Sequence, residues 1–145
     1  MIDIRNRQAY HDFFIDDKYV AGLVLSGTEV KSLRLGRASF NDSYCYFNDG
    51  GLWIKSLHIA EYSHGTSGNH DPVRERKLLL NKKELRKIET KIKEKGVTVV
   101  PLRIFFNEKG LAKIEVGLGK GKKLYDKRET IKQRDTQREM KKYLK

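Results

Sequence analysis

The sequence predicts a mainly β protein with accessory helices. Short runs of β-branched and aromatic residues recur through residues 1–119, and polar turns separate them. Two further segments place apolar residues at helical spacing. Residues 120–145 contain few large apolar groups. These observations favour a small closed β-barrel of the oligonucleotide-binding (OB) type over residues 1–119, followed by a basic tail over 120–145 that is disordered in isolation.

The first strands are expected in "FFIDDKYVAGLVL", as runs over residues 13–15 and 19–25 joined by an acidic turn. An aromatic-rich hairpin is expected next, because Asp49, Gly50 and Gly51 interrupt two β-type runs and glycine tolerates positive φ. The string "VRERKLLL" predicts a further strand.

The last two strands are expected in "VTVVPLRIFF" and "LAKIEVGL", with "NEKG" as the turn between them. In the first of these, Leu102, Ile104 and Phe106 alternate with other residues, so we expect them to share one face. Pro101 cannot donate to a ladder and belongs at an edge or a bulge.

Two helices are predicted from capping signals. Ser26 followed by Glu29 fits a capping box, which predicts a short helix over about 28–35. Asn81 is a good N-cap for a longer helix near 82–95, whose apolar residues recur every three to four positions.

The charge of the chain indicates a polyanionic partner. The formal net charge is +12, and residues 120–145 hold eleven basic side chains against four acidic ones. Nucleic acid and an anionic membrane are both candidates, and a merely solubilising tail is the alternative. Membrane binding is less favoured, because the tail lacks a dense apolar face.

The single cysteine, Cys45, excludes an internal disulfide and a multi-cysteine metal site, and its apolar surroundings predict buried packing. No leader or membrane-spanning stretch is evident, so we expect a cytoplasmic protein in a reducing compartment.

Catalytic chemistry has little support in the sequence. The run "GLGKGKK" lacks the spacing of a phosphate-binding loop. His64, His70 and Asp71 share one polar loop, so a metal site or a nuclease is conceivable, although the spacing matches no common ligand pattern. The loop more simply fixes itself by side-chain to backbone hydrogen bonds. We expect no cofactor, no metal and no enzymatic activity.

RNA binding agrees better with the residues. The N-terminal string "RNRQAYH" mixes cations with rings that can stack on bases. A second basic cluster lies beside the polar loop and consists of Arg74, Arg76 and Lys77. For any one of these residues, the alternative is a solvated surface charge.

Several strings together resemble the SsrA-binding protein family (SmpB), over nearly the whole chain from about Asn6. They include "AGLVLSGTEVKSLRLG", "NHDPVRERKLLLNKKEL" and "GKGKKLYDKRETIKQRD". The resemblance implies an OB-type barrel with an unstructured tail, and a non-enzymatic role. Family members bind the tRNA-like domain of transfer-messenger RNA and deliver it to stalled ribosomes for trans-translation, which tags the peptide and releases the ribosome.

The resemblance also implies partners and sites. The tail would probe the decoding region and the empty message channel as a helix, and delivery would involve elongation factor Tu, with the protein as a monomer. The positions expected to contact the tRNA-like domain, with the basic cluster included, are Asn6, Arg7, His11, Phe13, Val20, Gly22, Arg74, Arg76, Lys77, Leu79 and Asn81. Those expected at the decoding region are Lys120, Gly121, Lys122, Lys123, Tyr125, Asp126, Lys127 and Arg128. Those expected in the message channel are Ile131, Lys132, Arg134, Arg138, Tyr143 and Leu144.

Two positions leave alternatives open. Leu79 could instead pack in the core. Many family members read Glu-Ala-Gly where this chain reads Val20-Ala21-Gly22, so either Val20 contacts the RNA less closely or a neighbour such as Asp17 replaces the carboxylate. A general RNA-binding barrel protein with no special RNA is the rival function, and competition by unrelated tRNA distinguishes the two.

Overall fold

The structure, a computed structural model, describes residues 2–63 and 68–122 of the chain. It confirms the predicted class, mainly β with a few helices. The helices are α1 (Arg7–Asp12), α2 (Gly27–Arg34) and α3 (Lys82–Lys95). The strands are β1 (Asp3–Arg5), β2 (Phe13–Leu23), β3 (Ala38–Ser39), β4 (Tyr44–Asn48), β5 (Gly51–Lys55), β6 (His58–Ile59), β7 (Arg76–Leu79), β8 (Thr98–Phe106) and β9 (Ala112–Gly121).

The larger sheet is antiparallel and has the strand order β1-β8-β4-β5-β7-β2-β9. Strand β9 pairs along its length with β2 and also with β8. Strand β8 in turn meets β4 where Val99 lies opposite Cys45. Strands β3 and β6 form a separate two-stranded sheet. The long strands β2, β8 and β9 therefore form the framework on which the shorter elements are placed.

The predicted acidic turn within residues 13–25 is wrong. Strand β2 is continuous, and the ladder with β9 shifts register between Ile15 and Lys18. Asp16 and Asp17 lie within this irregularity, which lets the strand bend while β9 keeps its hydrogen bonds on both sides. A single long partner strand therefore overrides the local turn signal.

Strand β8 has a similar irregularity, and it lies at Pro101 as predicted. The register with β9 shifts between Pro101 and Arg103. The shift changes which residues share a face, so Leu102 joins a small cluster with Val100 and Ala9, whereas Ile104 is in the main core. The expectation that Leu102 shares a face with Ile104 and Phe106 is therefore wrong.

Both predicted helices are present. Helix α2 begins one residue earlier than expected, and the Ser26 amide donates to the Glu29 carboxylate at 2.8 Å. Helix α3 has the predicted bounds, and Gly96 ends it in the left-handed conformation, with φ 64°. Helix α1 was not predicted, because it has only six residues and no side-chain cap.

The main core lies between the sheet and the two longer helices. Leu33 of α2 and Ile88 of α3 are fully buried against strand residues such as Ile54 and Ile114. Cys45 is also buried, as predicted, and burial raises the pKa of its thiol far above the usual range. The β4–β5 hairpin turns at Asp49 and Gly50, which both have positive φ, as the Asp-Gly signal predicts.

Candidate RNA interface

One outward strip of the sheet carries three of the predicted RNA-contacting positions, Val20 and Gly22 on β2 and Leu79 on β7. Beyond the irregularity in β2, Lys18, Val20 and Gly22 alternate with the inward residues Tyr19 and Ala21. Val20 has 48% of its surface exposed. The strip is therefore apolar at its centre and cationic at one end.

Leu79 extends this strip onto β7. It lies opposite Gly22 in the β2–β7 register, and it is 54% exposed. A Cβ placed on Gly22 would lie 3.4 Å from the Leu79 Cβ, so the absence of a side chain at Gly22 leaves Leu79 open to solvent. The core alternative for Leu79 is wrong; its neighbour Leu78 is the core residue, with 1% of its surface exposed.

Asn81 follows the strip at the N-terminus of α3. Its side-chain oxygen accepts a hydrogen bond from the Glu84 amide at 2.8 Å, and the Glu84 carboxylate accepts one from the Asn81 amide at 3.4 Å. This reciprocal capping box fixes Asn81 beside Leu79. Asn81 therefore stabilises the start of α3, and an RNA contact would be a second role of the same residue.

The N-terminal positions are divided between surface and packing roles. Arg7 and His11 are exposed on α1, and His11 Nδ1 lies 3.0 Å from the Asp12 carboxylate. Asn6 donates from its side chain to the Pro101 carbonyl at 2.8 Å, which ties the start of α1 to the bulge in β8. Phe13 is half-buried in the cluster under α1.

Two glycines of β9 make room for that cluster. A Cβ on Gly117 would lie 2.7 Å from Ile15 Cγ2 and 2.9 Å from Leu102 Cδ1. A Cβ on Gly119 would lie 3.0 Å from Phe13 Cβ. A side chain at either position would press on Ile15, Leu102 or Phe13, the residues against which Ala9 of α1 packs, so the two glycines favour the close packing of this cluster.

The basic cluster predicted from "RERK" separates into three environments. Arg76 is fully buried: its Nε donates to Glu29 Oε2 at 2.6 Å, and one terminal nitrogen donates to the Leu57 carbonyl at 2.6 Å. Arg74 is partly exposed and binds the same carboxylate, at 2.5 Å from Oε1. Lys77 is exposed on β7. A direct phosphate contact by Arg76 is therefore a wrong expectation, because its donors are already used inside the protein.

Glu29, which the sequence offered only as a capping residue, is the centre of this buried cluster. Burial favours the neutral acid, but hydrogen bonds from Arg74, the Ser26 amide and Arg76 outweigh it and lower the pKa of Glu29 to about 2. Burial also lowers the pKa of Arg76, and the partnership with Glu29 opposes that effect. The triad, hereafter the Glu29 cluster, joins α2 to β7.

The start of the predicted decoding segment lies next to α1. Lys120 is exposed at the end of β9, opposite Phe14. The Lys122 ammonium donates to the Tyr10 carbonyl at 3.1 Å and lies 4.9 Å from the centre of the Phe14 ring. Gly121 ends β9. The positions from Lys123 to Leu144, including the expected tail contacts, lie outside the described residues.

The loop that suggested a metal site is held by internal hydrogen bonds. The His70 ring bridges the Thr28 hydroxyl and the Ile59 carbonyl, both at 2.8 Å. The Asp71 side chain accepts from the Val73 amide at 3.0 Å, as the self-fixing alternative predicts. Within residues 2–63 and 68–122, no three His, Cys, Asp or Glu side chains are grouped to hold a metal ion. His64 lies outside the described residues.

Comparison with known proteins identifies the family. The family model described as SmpB protein matches residues 3–145. The chain belongs to the SmpB family. An SsrA-binding protein from Phocaeicola vulgatus is 60% identical over 139 residues, which covers 96% of this chain and 93% of the relative. An SsrA-binding protein from Bacteroides thetaiotaomicron is 57% identical over the same shares.

A solved SmpB structure has the same fold. It is described as "tmRNA-SmpB: a journey to the center of the bacterial ribosome" and superposes with a TM-score of 0.75 at 48% sequence identity. The match covers 97% of this chain and 99% of the solved chain. In the part of the chain that the structure describes, no helix has the length and apolar character needed to cross a membrane.

Proposed function

We propose that this chain binds the tRNA-like domain of transfer-messenger RNA and delivers it to stalled ribosomes for trans-translation, as an RNA-binding factor and not an enzyme. The observation that carries the proposal is the exposed strip formed by Val20, Gly22 and Leu79 in a chain of the SmpB family. Apolar side chains held outward on a rigid sheet suit the unstacked bases and sugars of an RNA loop.

Cations around this strip supply the phosphate contacts in the proposal. Lys77 lies two residues before Leu79 on the same face of β7, and Arg74 is partly exposed near the start of that strand. Arg7 and His11 occupy the exposed side of α1. Arg76 acts indirectly, because the Glu29 cluster holds the strand that presents Lys77 and Leu79.

Val20 stands where many family members have glutamate, and this difference makes the strip less polar. Asp17 does not offer a free carboxylate in its place, because it pairs with Lys91. We therefore assign Val20 an apolar contact with the RNA and no carboxylate hydrogen bond.

We also propose that the large sheet closes into an OB-type barrel over residues 1–119. In support, β8 pairs with β4 on one side and β9 on the other, and the pairings run from β4 through β5, β7 and β2 back to β9. A closed sheet leaves no open edge among those strands. Residues 120–145 act as a separate basic tail.

The tail, in this proposal, probes the decoding region and the empty message channel and becomes helical there. The expected partners are transfer-messenger RNA, the small ribosomal subunit and elongation factor Tu, and the protein works as a monomer in the cytoplasm. The concentration of positive charge in residues 120–145 supports contact with a channel lined by RNA phosphates.

Competition binding tests the proposal. A labelled tRNA-like fragment of transfer-messenger RNA is bound to the full chain at physiological salt, and a large excess of unlabelled tRNA is added. The fragment is expected to stay bound. If tRNA displaces it freely, the chain is a general RNA-binding protein, and the proposed function is wrong.

A further inference from the structure

Helix α3 and strand β2 flank an open basic groove that lies next to the candidate interface. The groove has a volume of about 710 Å³ and is lined by six basic side chains against two acidic ones, Asp17 and Glu94. The basic residues are Lys18, Lys83, Arg86, Lys87, Lys91 and Lys95, and we call this feature the lysine groove.

Four of these lysines form a regular row along α3. Lys83, Lys87, Lys91 and Lys95 recur every four residues, so they lie on one face of the helix, about 6 Å apart along its axis. Like charges at this spacing destabilise a helix. Leu85, Ile88 and Ile92 supply the apolar packing of α3 against the core, and none of the four lysines belongs to that cluster.

Most of the row has no ion-pair partner among the described residues. Lys91 pairs with Asp17 of β2. Within residues 2–63 and 68–122, Lys83, Lys87 and Lys95 form no ion pair. A row of uncompensated cations over a concave surface is suited to the regularly spaced charges of a phosphodiester backbone.

The groove is continuous with the exposed strip through Lys18. This residue lines the groove and is two positions before Val20 on the outward face of β2. Its ammonium lies 5.3 Å from the centre of the Tyr10 ring, so it also borders α1. An RNA strand leaving the strip past Lys18 would enter the groove.

We propose that the lysine groove binds the phosphate backbone of the same RNA whose tRNA-like domain rests on the strip of Val20, Gly22 and Leu79. The inference depends on the proposed function and extends it to a second contact region. RNA is favoured over a membrane surface, because α3 buries its apolar residues in the core and keeps no apolar face to insert.

Two triple variants with equal charge test the inference. The groove variant carries Lys83→Gln, Lys87→Gln and Lys95→Gln, and the control carries Lys82→Gln, Lys93→Gln and Lys109→Gln. The three control lysines are exposed and do not line the groove. Glutamine keeps the helix propensity of lysine, so both variants should remain folded, which circular dichroism checks.

The measured quantity is the dissociation constant of the tRNA-like fragment as salt is raised from about 50 to about 200 mM. We expect the groove variant to bind more weakly than the control and to lower the log–log salt slope by about 2 to 3, because three phosphate contacts are lost. The control should keep a slope close to that of the wild type.

Equal slopes in the two variants would overturn the inference. If the wild type holds the fragment against tRNA while the variants do not differ, the groove assignment fails and the proposed function stands. If the wild type fails to hold the fragment, the proposed function itself fails. Loss of binding to anionic phospholipid vesicles by the groove variant, without loss of RNA binding, would also contradict the inference.

Discussion

The Glu29 cluster and the lysine groove use the same cationic chemistry in opposite ways. In the cluster, one fully buried carboxylate holds two arginines, and Arg76 has no exposed surface. The groove is open to solvent and is lined by six basic residues and only two acidic ones. Positive charge in the cluster is neutralised inside the protein, whereas positive charge in the groove remains available to a partner.

The difference shows that a count of basic residues does not locate an RNA-binding surface. Arg76 and Lys77 are adjacent residues of β7, yet the Arg76 side chain is buried and the Lys77 side chain is exposed. The alternation of a strand sends them to opposite faces. A carboxylate that is distant in sequence, Glu29, then decides that the inward cation is structural.

Among variants that distinguish the Glu29 cluster from the lysine groove, Glu29→Gln is expected to have the largest effect on stability. The substitution leaves Arg76 buried without a counter-charge, so the free energy of unfolding should fall by about 3 to 5 kcal/mol. Urea denaturation measures the change. Glu89→Gln on the exposed surface of α3 is the matched control, and it should change stability by less than about 0.5 kcal/mol. Equal effects of the two substitutions would show that the Glu29 cluster does not stabilise the fold.

Acid should weaken the cluster in a defined range of pH. The pKa of Glu29 is lowered from 4.5 to about 2 in the folded chain, so its stabilisation is full above about 4.5 and is lost as pH falls towards 2. The stability difference between the wild type and Glu29→Gln should therefore narrow over that range. Urea denaturation at several pH values measures it, and a difference that stays constant down to about pH 2 would contradict the assigned role of the carboxylate.

Elements with local signals could be predicted from the sequence. The capping boxes at Ser26 and Asn81 gave both longer helices, and Asp49 with Gly50 gave the hairpin turn. Cys45 and Pro101 also occupy the environments that their chemistry requires.

Features that depend on distant partners could not be predicted in this way. The acidic pair in β2 lies in a bulge because β9 pairs on both sides of it, and Leu102 changes face because the ladder shifts at Pro101. Helix α1 has no local cap and depends on the Asn6 bond to the Pro101 carbonyl and on the space left by Gly117. The lysine groove requires β2 beside α3, an arrangement that no local pattern in the sequence indicates.

The most direct test of the account compares Leu79→Ala with the wild type in the tRNA-competition assay. Leu79 is 54% exposed, so its truncation should change the free energy of unfolding by less than about 0.5 kcal/mol. If the strip binds RNA, loss of the apolar contact should weaken binding of the tRNA-like fragment by about 1 to 2 kcal/mol, or roughly tenfold. A stably folded Leu79→Ala protein that binds the fragment as tightly as the wild type would contradict the assignment of this face as the RNA interface.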